Sequence, residues 1–222
     1  VGAKGFSTTA NSTGDIYLAA KNRDLGIGSI TSDGLVEITA DKAVKALGSD
    51  TNIKAAALRI LKSSAVGTAD QNLRTNISGN MEIISTGDIY VTQQGAAHVK
   101  NITSRKNNGT VSLTAGSIVN EADGTTAAIN ASNILLHATT GSIGSVDKVM
   151  NVEAGNGMLS AVSDKGNIYL TDLTGDVNLG QLKAAGNIVF KAAGNIIGKS
   201  TAANTATVIA ADANLTSTNG NI

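Results

Sequence analysis

The sequence predicts an all-β protein, a right-handed parallel β-helix (solenoid) of about nine coils, each of 22–29 residues with three short strands. Three observations carry this. A motif returns along the chain as GDIYL at 14–18, GDIYV at 87–91 and GNIYL at 166–170, placing Ile16, Ile89 and Ile168 at spacings of 73 and 79. Between these points a finer period of 22–29 residues recurs. Within each period apolar residues alternate with Asn, Thr, Ser, Lys or Asp, as in NIYL, VNL and VSL, the pattern of strands buried on one face.

In chain order, one ladder of inward residues runs through Ile16, Val44, Val66, Ile89, Ile118, Ile143, Ile168, Ile196 and Ile222. In seven of these nine coils a Gly stands two residues earlier, at 14, 87, 116, 141, 166, 194 and 220; the coils around Val44 and Val66 lack it. A second ladder passes through Val36, Ile60, Ile83, Val111, Leu136, Leu159, Ile188 and Leu215. A third takes Ile30, Ile53, Ile77, Ile102, Ile129, Val152, Leu179 and Ile209. Gly, Asn, Asp and Ser gather between the strands, where the chain reverses. Two stretches, 41–47 (DKAVKAL) and 54–62 (KAAALRILK), have helical composition but fall where strands of the second and third coils are due. The variable coil length argues against a left-handed hexapeptide helix. No Pro interrupts the chain, which suits a backbone whose N–H groups are committed to ladder bonds. Stacked at ~4.8 Å, nine coils make a rod of about 40 Å. The whole of 1–222 reads as one repeat segment, organised in three-coil super-repeats starting near 14, 87 and 166.

Composition narrows the function classes. Lys plus Arg equals Asp plus Glu at 17 each, and no basic run is interleaved with aromatics, so nucleic acid is not the expected partner. The absence of Cys excludes disulfides and thiolate metal sites. The hydrophobic content is almost entirely aliphatic, with two Phe, three Tyr and no Trp. No apolar run approaches the roughly 20 residues that span a bilayer. The chain opens inside patterned sequence and stops at GNI within a motif, so it reads as an internal piece of a longer polypeptide.

The run NILLHATTGSIGS, continued by MNVEAGNGMLSAVSDKGNIYLTDLTGDVNLGQLKAAGNIVFKAAGNIIG, resembles the repeat region of filamentous haemagglutinin-like adhesins, the large exoproteins of bacterial two-partner secretion. The likeness is closest over 109–222 and looser over 1–108. It implies a β-helical shaft, exported through an outer-membrane secretion partner that engages a region outside this chain, and displayed at or released from the bacterial surface. The family's secretion domain carries an Asn-Pro-Asn signature; with no Pro here, the resemblance places the segment in the shaft, against flanking coils of the same polypeptide.

No catalytic, cofactor or metal residue stands out. Asp15 and Asp88 occupy the same place in the GDI turn but lie three coils apart, about 14 Å, beyond the spacing of glycosidase carboxylates. Asp172 and Asp176 read as corner and surface residues. His98 and His137 have no ligand spacing around them. Asn-x-Ser/Thr sequons occur at Asn11, Asn76, Asn101, Asn108, Asn130 and Asn214, as a chain rich in these residues yields by chance. Tyr17, Tyr90 and Tyr169 are the most regular exposed features, returning at one strand position every third coil. They are the candidate contact residues, either covering a Gly strand or meeting a neighbouring surface.

The expected function is a structural shaft of a surface-exposed or secreted adhesin, giving reach and rigidity, without catalysis or cofactor, with a host or bacterial surface receptor or glycan as partner. The alternative is a polysaccharide-binding or polysaccharide-cleaving β-helix of the pectate-lyase type, which needs acids and a base clustered on one strand face.

Overall fold

The structure, a computed structural model, describes residues 7–199 and 207–222. Among the described residues there are 23 strands and no helix. The chain winds as a parallel solenoid of about ten coils, and each coil passes once over each of two sheets. The first two coils are β1 (Ser7–Ser12) with β2 (Ile16–Ala20), then β3 (Leu25–Ser32) with β4 (Leu35–Ala40). In the third, β5 (Val44–Ala46) and β6 (Ile53–Ala55) together make one pass, followed by β7 (Ala57–Lys62). Next come β8 (Leu73–Ile77) with β9 (Asn80–Ser85), and β10 (Ile89–Gln93) with β11 (Ala96–Ser104). In the sixth coil β12 (Thr110–Ala115) leads to a divided pass, β13 (Ser117–Asn120) plus β14 (Ile129–Ala131). The seventh, eighth and ninth are β15 (Asn133–Ala138) with β16 (Met150–Ala154), β17 (Met158–Ser163) with β18 (Ile168–Asp172), and β19 (Val177–Ala184) with β20 (Ile188–Ala192). The last joins β21 (Ile196–Gly198) and β22 (Val208–Ile209) to β23 (Ala213–Ser217). Sheet A begins at β1 and sheet B at β2.

Period-two patterning decides these elements over helix propensity. In β7 the residues of the helix-rich stretch alternate, with Leu58 and Ile60 fully buried and Arg59 outward. Inward Ile, Val, Leu and Ala from both sheets form one cluster from Ile16 to Ile196, and Phe190 is its largest side chain. Each fully buried Ile or Leu contributes roughly 1.5–3 kcal/mol, but only because the coils above and below supply the other walls.

The three expected ladders resolve into two sheets. Val44, Val66 and Ile89 do stack in register, as do Ile118, Ile143 and Ile168. The joints between these groups differ from expectation: Ile16 pairs with Val36, Ile89 with Val111 and Ile168 with Ile188. The reason is coil length. Register advances 18 residues from Met81 to Val99 but 27 from Ile102 to Ile129. The long coils carry excursions out of a sheet at 47–52, 67–72, 121–128 and 144–149. A reading with near-constant period therefore slips by half a coil wherever an excursion is missing.

The super-repeat is accordingly not three coils but seven passes, or three and a half coils. The Tyr-bearing strands β2, β10 and β18 are seven passes apart, and so are the divided passes β5/β6, β13/β14 and β21/β22. The pairs β1–β3, β9–β11 and β17–β19 each contain a register shift and follow the same spacing. Because seven is odd, each repeat lands on the opposite sheet, about 17 Å along the axis.

The corners explain the Gly-x-Ile motif. A Cβ on Gly87 would collide with the Ser64 carbonyl of the preceding coil, and one on Gly194 with the Gly175 carbonyl. On Gly14, in the first described coil, it meets nothing nearer than the Ser12 hydroxyl at 4.0 Å. A Ser closing the pass fixes the stack: Ser32, Ser104, Ser163 and Ser217 donate to the carbonyls of Gly14, Gly87, Gly141 and Gly194 in the coil before, at 2.7–2.9 Å. The residue after the Gly caps the next coil. Asp15 accepts from Leu35 N–H, Asp88 from Thr110 N–H, Asn167 from Asn187 N–H and Asn195 from Asn221 N–H.

Gly87→Ala is expected to destabilise the fold by roughly 1–3 kcal/mol through forced separation of stacked corners, while Gly14→Ala stays within about 0.5 kcal/mol; urea unfolding of the two variants checks the contrast. Removal of residues 89–167 joins Asp88 to Ile168 and places β18 where β10 was. This variant is expected to keep a parallel-β circular dichroism spectrum and a single unfolding transition, whereas a collapsed or aggregated product would show that the two sheets are not interchangeable.

Candidate functional site

The three tyrosines do not form a track. Tyr17 and Tyr169 lie on sheet B, seven coils apart, and Tyr90 lies on sheet A. The expectation of a single strand position is corrected by the half-coil offset of the repeat. Their surroundings also differ. Tyr17 is 66% exposed, and its hydroxyl donates to Asp15 Oδ2 at 3.2 Å, a bond that raises the phenol's pKa. Tyr90 and Tyr169 are half-buried. Each sits next to a chain that has just left the sheet: Gly67 and Gly144, with φ of 62° and 65°, lie against the carbonyls of Tyr90 and Tyr169. Only a residue without Cβ fits this left-handed turn over the neighbouring strand. Tyr90 and Tyr169 therefore each stand on the first undivided pass of their own sheet after two excursions.

The outer face of sheet B carries an ordered charge pattern that spacing of 22–23 residues brings together. Arg59 bridges Glu37 at 2.9 Å and Glu82 at 3.1 Å across three successive coils. Further along, Glu121 is held by Lys148 Nζ at 2.6 Å and lies 3.0 Å from His98 Nδ1; the Lys148 bond and then the His98 contact lower its pKa. His137 has a separate partner, Asp164, at 2.7 Å on sheet A. The histidines thus act in carboxylate pairs between coils. Asp88 accepts from Thr110 N–H and pairs with Lys106 at 2.7 Å, and Asp176 accepts from Asn195, which keeps its carboxyl below the ordinary range. Among the described residues no three His, Asp or Glu side chains converge as a metal site requires.

Two adjoining depressions, about 540 and 400 Å³, open on sheet B, the first against the 121–128 excursion and the second beside the 104–107 turn. Asn130 and Glu153 lie on the ridge they share, with Glu82, Lys100 and Asp123 around the first and Arg105 and Lys106 around the second. Asn130 Nδ2 donates to the Glu153 carboxylate, so the sequon at Asn130 has its amide already engaged. Asn108, by contrast, is exposed with a positive φ of 59°. The depressions are shallow, polar and of mixed charge. Their chemistry suits hydrogen bonding to a polar ligand.

Asp172 is a correction to the sequence reading. It is not a corner residue in solvent but fully buried, with Oδ1 accepting from Ala154 N–H at 2.8 Å and Oδ2 without a partner. Burial first, and Glu153 to a smaller degree, push its pKa from 3.8 up to about 7, against the Ala154 bond. The folded chain therefore keeps this proton where the unfolded chain has lost it. Its contribution to stability is complete below about pH 4 and is lost as the pH rises to about 7. The signal was present in the sequence: alternation in IYLTD continues inward to Asp172, and IYVTQ places Gln93 in the same position.

Comparison of the chain with protein-family profiles, with curated proteins and with solved structures returns no match. Tyr169→Ser and Tyr90→Ser are each expected to cost roughly 1–2 kcal/mol, from the apolar area lost beside the excursions, and Tyr17→Ser less than about 0.5 kcal/mol. Thermal denaturation of the three variants tests that order.

Proposed function

We propose that this chain is a structural shaft segment of a large bacterial adhesin, displayed at the cell surface or secreted, whose task is reach and rigidity. The observation that supports it is the uninterrupted core: one largely aliphatic cluster runs from Ile16 to Ile196, with Ser-to-Gly contacts closing four of the corners. Ten coils at ~4.8 Å give a stiff unit of about 48 Å. The resemblance of 109–222 to haemagglutinin-like repeats adds export through an outer-membrane partner. In this reading the outer ion pairs keep the rod soluble and hold neighbouring coils in register, and the depressions around Asn130 and Glu153 offer contact to a glycan or surface receptor.

Antibodies raised against the segment are expected to label intact, unpermeabilised cells of the source bacterium or its culture medium; signal only after lysis would overturn the reading. Incubation of the purified segment with acidic polysaccharides is expected to release no reducing or unsaturated ends, and their release would favour a polysaccharide-cleaving β-helix instead.

A further inference from the structure

The seven-pass repeat places one side chain at the end of each Tyr-bearing strand, inside the turn that leads to the opposite sheet. In β2 it is the apolar Ala20, and in the other two it is polar: Gln93 in β10 and Asp172 in β18. Both are buried, and both accept from a backbone N–H of the preceding coil: Ile77 to Gln93 Oε1 at 3.1 Å, Ala154 to Asp172 Oδ1 at 2.8 Å. The other end of each group differs. Gln93 Nε2 donates to the carbonyls of Ile77, Gln94 and Ala96 at 2.8, 2.9 and 3.1 Å. The residues in the corresponding places are Ala154 at the end of β16 and Leu173 and Asp176 after β18, and Asp172 Oδ2 has no hydrogen-bond partner.

We propose that Asp172 is a proton-operated clasp: as the neutral acid it closes the corner between β18 and β19 as the Gln93 amide closes the corner between β10 and β11, and on losing its proton it releases that corner. A protonated Oδ2 is a donor, as Gln93 Nε2 is in the equivalent turn; an ionised carboxylate there is a buried charge with one oxygen left without a partner. The surrounding charges point the same way. Glu153 on β16 opposes ionisation. On β20 the residue paired with Asp172 is Ala192, and Lys191 faces outward beside Thr171. Asp176, across the turn, is engaged with Asn195, and Lys183 on β19 is exposed. Among the described residues no cation pairs with Asp172, so only a proton neutralises it. Ala154 and Gly155 wall the 400 Å³ depression, so opening of the corner, which takes the buried charge to solvent at the expense of the Ala154 N–H bond, reshapes that outer surface.

Two variants test the clasp. Asp172→Asn keeps the size and an N–H donor but cannot titrate; Gln93→Glu imports an acid into the equivalent corner. Hydrogen exchange of the Ala154 amide, taken as the ratio of the parent chain to Asp172→Asn, is expected to rise several-hundredfold between pH 4 and pH 8 and to level off above pH 7. In Gln93→Glu the Ile77 amide is expected to acquire a rise of the same sign that the parent chain lacks there. A pH-independent ratio at Ala154, a 13Cγ resonance of Asp172 that titrates near pH 4, or an Ile77 amide in Gln93→Glu that follows the parent would each overturn the proposal.

Discussion

Stacking backbone on backbone at the corners is the constraint on which this molecule depends. Along the strands, parallel pairing satisfies N–H and C=O groups automatically, but at each change of sheet the ladder breaks and buried polar groups need other partners. The chain solves this with short side chains. Ser hydroxyls reach back to a Gly carbonyl one coil earlier, and Asp or Asn after the Gly reaches forward to an N–H one coil later. Gly is imposed by the closeness of the stacked backbones more than by turn conformation, which is why the first-coil Gly14 alone of the motif glycines has open space around it.

Much of the architecture was legible because this constraint writes directly into the sequence. Gly-x-Ile marks the corners, alternation marks the passes, and the trios Val44–Val66–Ile89 and Ile118–Ile143–Ile168 stack as the motif implies. What was not legible is how many residues lie outside the sheets. Excursions such as 121–128 lengthen a coil without altering the alternation of the strands around them, so the period alone cannot separate a long coil from one and a half short ones. The tyrosines were misplaced for that reason, and Asp172 for another. A charged residue at a strand end reads as a surface corner, although the alternation of IYLTD and the match to IYVTQ, with Gln93 in the same place, already point it inward.

Charge is used locally in this molecule. The formal net charge is zero, with 17 basic and 17 acidic side chains. Arg59 links three coils, Glu121 links His98 to Lys148, and Asp164 faces His137. Exposed pairs of this kind are individually weak. Their placement across successive coils makes them markers of register, discouraging slippage of one coil against the next. Asp172 is the exception, a titratable group taken into the core without a counter-charge.

Unequal coil length also has a mechanical consequence. If tension is applied through the ends of the solenoid, coils leave the stack one at a time, each freeing the contour length of its own residues. A coil of 18 residues yields about 60 Å of slack and one of 27 about 90 Å. The rod is then a series of latches with different stroke lengths, and the 27-residue coil is the one beside the 540 Å³ depression. Under load, the coil that reaches furthest when it opens would be the one that carries the 121–128 excursion.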